Sequence, residues 1–150
     1  LFWIENEHYT WTVFGIALAG AFLPRLPDRL EGWLTIPDAL GLALFSIVGA
    51  GIAVDSEVIG GSLLVASMFG VMTGAFGGVI ADVVCNDVPR IFLPATPLYS
   101  VCAFAGCWVF LGLGRLGVDE PAALLLGATT IVVFRLLAVR GNWTLPATRA

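Results

Sequence analysis

Apolar residues form five long runs in this chain, and short polar or proline-containing segments separate them. Most of these runs approach the roughly 20 helical residues that cross a bilayer core about 30 Å thick. None shows the two-residue alternation of a β-strand, so the pattern predicts an all-α, polytopic transmembrane helix bundle. The predicted spans are helix A (residues 9–23), helix B (37–54), helix C (58–84), helix D (97–114) and helix E (121–139).

Helix B has the clearest predicted start. Thr35 and Asp38 stand at the spacing of a capping box, and Pro37 falls in the first turn, where its missing N–H removes no helical hydrogen bond. We therefore expect helix B to begin at about residue 37.

Helix C carries a row of small residues at every fourth position. The row consists of Ser62, Ala66, Gly70, Gly74 and Gly78, and Asp82 follows at the same spacing. Positions four apart form one ridge of a helix. Each glycine there lowers helix stability by about 1 kcal/mol relative to alanine, so the repeated glycines require an explanation. Tight helix packing is one. The others are a kink or an unwound segment at Gly77 and Gly78, beside a polar path that would also involve Gly74 and Asp82; the family resemblance given below favours the kink.

Composition supports a membrane setting. Hydrophobic residues make up 59% of the chain and charged residues 12%, against about a quarter charged in soluble domains. The net charge is −4 and the basic residues are scattered, which argues against a nucleic-acid partner. Neither a G-x-S-x-G sequence nor a metal-type cluster occurs, and the single histidine cannot provide a bis-histidine haem site. We expect no enzymatic activity, no cofactor and no metal.

The arginines predict the orientation of the bundle in the membrane. Five of them fall on one side of the predicted bundle: Arg25, Arg29, Arg90, Arg140 and Arg149. The opposite side has Arg115 alone. Because cytoplasmic loops are rich in positive charge, the first residue should face outward and the last the cytoplasm.

The sequence also contains an internal similarity between two of its segments. A shift of 90 residues aligns six identical pairs over 26 positions, among them Tyr9 with Tyr99 and Arg25 with Arg115. Helices A and D cross in opposite directions, so the similarity suggests an inverted repeat, a frequent transporter architecture. The predicted divisions are residues 1–35 (the end of a first repeat whose first two helices would precede Leu1), 36–117 (a second repeat) and 118–150 (a final helix and tail).

Three sequence segments carry a family resemblance. They are GAFGGVIADVVCNDVP (residues 74–89), DALGLALF (38–45) and RLLAVRGNWTLP (135–146). Together they resemble a bacterial membrane family of glycine transporters and TRIC-like (trimeric intracellular cation channel-like) proteins. One departure stands out, because Ala81 occupies the position where that family usually has an arginine.

The resemblance implies seven helices arranged as three, three inverted and one, of which this chain would hold the last five. It implies a homotrimer among membrane lipids that passes a small solute, either a monovalent cation through a channel or glycine through a transporter. A non-transporting membrane scaffold is the alternative.

Four polar residues are candidates for a role in this path, each with a structural alternative. Asp82 and Asp38 are ionisable groups near the membrane, but either could simply cap or complement a helix end. Arg135 interrupts an apolar run and could extend toward the interface or pair with one of these carboxylates. Asn86 is a possible polar partner in the loop after helix C.

Overall fold

The structure is a computed structural model that describes residues 8, 11–12, 14–15, 18, 28–59, 61–84, 86–93 and 98–144. For residues 28–34 and 90 only the backbone is described. The chain divides into two compact units, Leu1–Leu34 and Thr35–Ala150. In the first unit the described positions between 8 and 18 are helical, and the Thr12 hydroxyl donates to the His8 carbonyl over 2.7 Å. The rest of predicted helix A lies outside the described residues, so the count of five helices stays a prediction.

Four long helices occupy the remainder of the described chain. They are α1 (Asp28–Val54), α2 (Leu63–Val84), α3 (Ser100–Arg115) and α4 (Glu120–Arg140), with a single 3₁₀ turn at Arg90–Phe92. Three of them contain segments long and apolar enough to span a membrane, namely Thr35–Val54, Leu63–Val84 and Glu120–Arg140. α3 is apolar but has 16 residues, which is about 24 Å of helix.

The predicted start of α1 was wrong. The helix begins at Asp28, nine residues before Pro37, and Pro37 lies inside it. An interior proline removes one backbone hydrogen bond but does not forbid a helix when neighbouring turns hold it. Thr35 and Asp38 therefore do not form a capping box at a helix start.

The unwound segment that was one expectation for helix C is absent, whereas a kink at the same glycines stays a prediction. α2 is continuous helix from Leu63 to Val84, through both Gly77 and Gly78. A paired glycine weakens a helix without unwinding it, because each costs only about 1 kcal/mol and every backbone hydrogen bond inside a bilayer is valuable.

Two helix ends close with asparagine in the left-handed conformation. Asn86 has φ +60° and Asn142 has φ +48°. Beyond them, the Asp87 N–H donates to the Asp82 carbonyl and the Trp143 N–H to the Ala138 carbonyl, both over 2.9 Å. These six-to-one bonds are Schellman endings, which satisfy carbonyls that a helix end would otherwise expose. Asn86 thus has a structural role that its polarity alone did not reveal.

Small residues fill the interior. The buried core consists of Ala39, Leu42, Ala43, Ile47, Ala50, Ala53, Ala66, Ala75, Cys102, Ala103, Cys107, Leu111, Ala123, Ile131 and Ala138. Large side chains such as Phe45, Ile52 and Phe76 are instead exposed. That inversion of size is expected in lipid, where close packing of small residues, rather than hydrophobic burial, holds helices together.

Glycine sets the closest helix approaches. A β-carbon built on Gly70 of α2 would lie 2.6 Å from the Ser46 carbonyl oxygen of α1. One built on Gly106 of α3 would lie 2.7 Å from the Gly127 carbonyl oxygen of α4. These two crossings can form only because the residues lack side chains.

We predict that Gly70→Ala and Gly77→Ala differ sharply in stability. At Gly70 the added carbon meets backbone and should destabilise the fold by about 1–3 kcal/mol. At Gly77 a β-carbon would meet no heavy atom of another element within 4 Å among the described residues, so better helix propensity should leave stability equal or up to about 1 kcal/mol higher. Thermal unfolding of both variants in detergent checks this, and equal losses would contradict the packing described above.

Candidate functional site

A buried arginine is the centre of the candidate site. Arg135 projects from the last third of α4 and is 9% exposed. Its NH2 nitrogen lies 3.5 Å from Oδ2 of Asp38 on α1, and its NH1 donates to the Leu98 carbonyl over 3.4 Å. The guanidinium carbon stands 4.6 Å from the centre of the Tyr99 ring, close enough for a cation–π interaction.

Tyr99 contacts both charged groups. While its ring faces Arg135, its hydroxyl donates to Oδ1 of Asp38 over 3.3 Å. Asp38, Leu98, Tyr99 and Arg135 therefore form one connected set, which we call the Arg135 cluster. It joins α1, the residues before α3, and α4.

The C-terminal end of α4 is tied to the same set through backbone. The Leu98 N–H donates to the Trp143 carbonyl over 2.9 Å, so Leu98 contacts Arg135 through its carbonyl and the tail through its amide. The position of residue 98 is thus fixed from two sides.

Packing of α2 against α1 differs along the helix. Gly70 touches Ser46, and a β-carbon on Gly74 would lie 3.0 Å from the Leu42 carbonyl oxygen. One turn further on, a β-carbon on Gly77 or Gly78 would meet no atom of a neighbouring element within 4 Å in the described part of the chain, and both glycines are exposed. We call this open stretch of α2 at Gly77 and Gly78, beyond its contact with α1, the α1–α2 wedge.

The two charged side chains of the cluster differ in their exposure. The Arg135 side chain is 11% exposed, whereas that of Asp38 is 44% exposed. The positive group is therefore shielded while the carboxylate faces the surroundings. A polar group arriving at this end of the bundle would reach Asp38 first.

The structure places the residues expected from the sequence in different settings. Arg135 and Asp38 are together, which is one of the pairings that the sequence left open. Gly74 is packed against α1, whereas Gly77 and Gly78 face the wedge. Asp82 is half-buried in the last turn of α2, and its part in any transport path stays a prediction.

Sequence reasoning missed two members of the cluster. Tyr99 was visible only as an identity in the self-alignment, and nothing in that match indicated that it contacts two charges. Leu98 takes part through its backbone, which no side-chain pattern can signal.

These features define the class of protein: a polytopic helical membrane protein with a polar cluster inside an apolar bundle. Residues 35–115 match the model of the family described as glycine transporter. The chain is 34% identical to the UPF0126 membrane protein of Vibrio cholerae over 97% of this chain and 59% of that protein. It is 30% identical to the UPF0126 inner membrane protein YadS of Escherichia coli over 97% of this chain and 69% of that protein.

Solved structures agree in fold. The structure reported as the TRIC trimeric intracellular cation channel orthologue from Rhodobacter sphaeroides aligns with a TM-score of 0.75 and 29% identity, covering 94% of this chain and 71% of that chain. A structure reported as the basis for conductance through TRIC cation channels aligns with a TM-score of 0.69 and 28% identity, covering 84% of this chain and 58% of that one.

The chain belongs to the glycine transporter family, as the motif resemblance predicted. Its family and fold are of the channel and transporter type. The chain spans about three fifths of the length of the Vibrio relative.

We predict that Asp38→Asn and Arg135→Gln are energetically coupled. The double variant should be more stable than the sum of the single losses implies, by about 1 kcal/mol, since each single change leaves the other charge without its partner. The exposure of Asp38 limits the effect, because solvent screens such pairs.

Chemical denaturation of the four proteins in detergent measures that coupling. Arg140→Gln is the matched control: Arg140 ends the same helix but is exposed, so its loss should simply add to that of Asp38→Asn. If the losses in unfolding free energy of Asp38→Asn and Arg135→Gln are strictly additive, the two side chains do not stabilise each other, and the predicted coupling is contradicted.

Proposed function

We propose that this protein moves a small solute across the bacterial inner membrane, and that the α1–α2 wedge is part of the route. The observation that carries the proposal is a partly buried charged cluster inside an otherwise apolar bundle, and the open, exposed stretch of α2 at Gly77 and Gly78 supports it. Charged groups at membrane depth are costly and are retained mainly where they serve a path or a ligand.

Membership of the glycine transporter family supports glycine as the solute. Similarity to trimeric intracellular cation channels supports a monovalent cation, and also a homotrimer, as the second candidate. In either case Gly77 and Gly78 act by leaving space rather than by breaking α2. The arginine distribution supports a topology in which the Arg135 cluster lies toward the cytoplasm.

One observation favours the scaffold alternative. A scaffold requires an uninterrupted central helix with tightly packed glycines, and α2 is continuous and tightly packed at Gly70 and Gly74. The space beside Gly77 and Gly78 favours transport, because a packing role leaves both glycines without a function.

We predict that Gly78→Leu abolishes most transport by filling the wedge. The complete protein, reconstituted in liposomes, is assayed side by side for potassium flux and labelled glycine uptake. The wild type should move one of the two, and Gly78→Leu should reduce that flux at least tenfold. Val83→Leu, an exposed position on the same helix, serves as the control and should retain it.

Saturable glycine uptake without conductance identifies a carrier, and unitary currents identify a channel. If the correctly folded wild type shows neither potassium flux nor glycine uptake, the transport proposal is overturned in favour of the scaffold. Equal flux in wild type and Gly78→Leu would remove the wedge from the route.

A further inference from the structure

We propose that the Ser46 side chain gates the contact between α1 and α2. In this structure its hydroxyl is buried against α2 without a hydrogen-bond partner among the described residues, and in a second packing, with α2 moved away, the hydroxyl bonds to water. The inference rests on the proposed function, because a gate requires a route, but the movement of α2 is measured without transport.

Two fully buried serines differ in how their hydroxyls are satisfied. Ser46 and Ser67 are each 0% exposed. The Ser67 hydroxyl donates to the Leu63 carbonyl over 2.7 Å, whereas the Ser46 Oγ has no partner in the described part of the chain. Thr73 and Thr130 also donate to the carbonyl four residues earlier. A buried hydroxyl without a partner lowers stability, so its presence at Ser46 requires an explanation.

Glycines of α2 enclose Ser46. A β-carbon built on Gly74 would overlap the Ser46 Oγ, and one built on Gly70 would lie 2.6 Å from the Ser46 carbonyl oxygen. The Cys107 thiol of α3 donates to the same carbonyl over 3.5 Å. Ser46 therefore lies where α1, α2 and α3 meet, and its hydroxyl faces the glycine row of α2 rather than lipid.

The Ser46 hydroxyl lies one turn from the α1–α2 wedge. Gly77 and Gly78 are exposed and open, whereas Gly74 contacts both Ser46 and Leu42. Along the glycine row, the contact between Gly74 and Ser46 is thus the first closed point beyond the wedge. A solute that follows α2 past Gly78 passes this point only when the two helices separate.

The Ser46 hydroxyl makes separation of the helices less costly. Moving α2 away loses van der Waals contacts, which hold helices together in lipid. The same movement gives the unpaired hydroxyl a hydrogen bond to water, which the closed packing withholds. Ser46 therefore lowers the free-energy difference between two discrete packings, and packed interfaces switch between such arrangements rather than deform gradually.

We predict that Ser46→Ala raises stability more than Ser67→Ala does. Both variants replace a fully buried serine with a better helix former, but only Ser67→Ala gives up a hydrogen bond. Thermal unfolding of the complete protein in detergent should therefore show a higher midpoint for Ser46→Ala. Equal midpoints, or a higher midpoint for Ser67→Ala, would contradict an unpaired hydroxyl at position 46.

Cysteine labelling measures the movement of α2 itself. Ser46→Cys is introduced into the complete protein after the native cysteines are replaced by alanine, and a small water-soluble thiol reagent is applied to membranes. Gly74→Ala adds a methyl group against position 46 and should hold α2 away, so the labelling rate should rise severalfold. Gly77→Ala is the matched control, because its methyl group meets no atom of another described element within 4 Å and should leave the rate unchanged.

Two labelling results would overturn the gate. One is an equal rate at Ser46→Cys in the Gly74→Ala and Gly77→Ala proteins. The other is no reaction at Ser46→Cys in either protein under conditions in which Gly78→Cys reacts, because water would then reach the wedge without passing the closed contact.

Solute flux tests the gate within the proposed route. Ser46→Ala stabilises the closed packing and removes the hydroxyl that bonds to water in the open one, so both effects lower flux. In liposomes that contain the complete protein, flux should fall severalfold in Ser46→Ala and stay close to wild type in Ser67→Ala. Undiminished flux in Ser46→Ala would overturn the gate.

The two proposals fail in different ways. Labelling of Ser46→Cys that depends on Gly74, in a protein that moves neither potassium nor glycine, would overturn the transport function and leave the movement of α2. Flux that Ser46→Ala does not change, in a protein whose position 46 never reacts, would overturn the gate and leave the transport function.

Discussion

The contact between Gly70 and the Ser46 backbone is the constraint on which the rest of the structure depends. Within a bilayer, helices gain little from burying apolar side chains against one another, so they associate where small residues let backbones approach. Gly70 and Gly74 bring α2 against α1 at Ser46 and Leu42. One turn beyond these contacts α2 is open, since a β-carbon on Gly77 or Gly78 would meet no atom of a neighbouring described element within 4 Å.

The Arg135 cluster is the second feature on which the proposed function depends. A buried arginine in an apolar bundle carries a desolvation cost, which Asp38, the Tyr99 ring and the Leu98 carbonyl partly offset. The cluster joins α1, α4 and the residues before α3. It combines charge of both signs in one place, whereas small residues such as Ala50, Ala66 and Gly70 fill the buried contacts between α1 and α2.

Much of this fold could be predicted from the chain, because apolar length and small-residue spacing are local signals. Helices B to E and the row through Gly70 and Gly74 followed from them, whereas the family followed from the resemblance of three sequence segments. The start of α1 could not, since Pro37 is typical of a first turn and only the neighbouring turns show that the helix continues. The unbroken α2 was missed because glycine pairs favour both breaks and open space. Tyr99 was missed because its two contacts come from residues 61 and 36 positions away along the chain.

The proposal that the α1–α2 wedge is part of a solute route requires water to reach Gly78, and cysteine accessibility tests this most directly. A single cysteine is placed at Gly78, or for comparison at the fully buried Ser67, with Cys85, Cys102 and Cys107 replaced by alanine or serine. In membranes, a water-soluble maleimide should label Gly78→Cys and leave Ser67→Cys unlabelled. Equal protection at both positions would contradict the account.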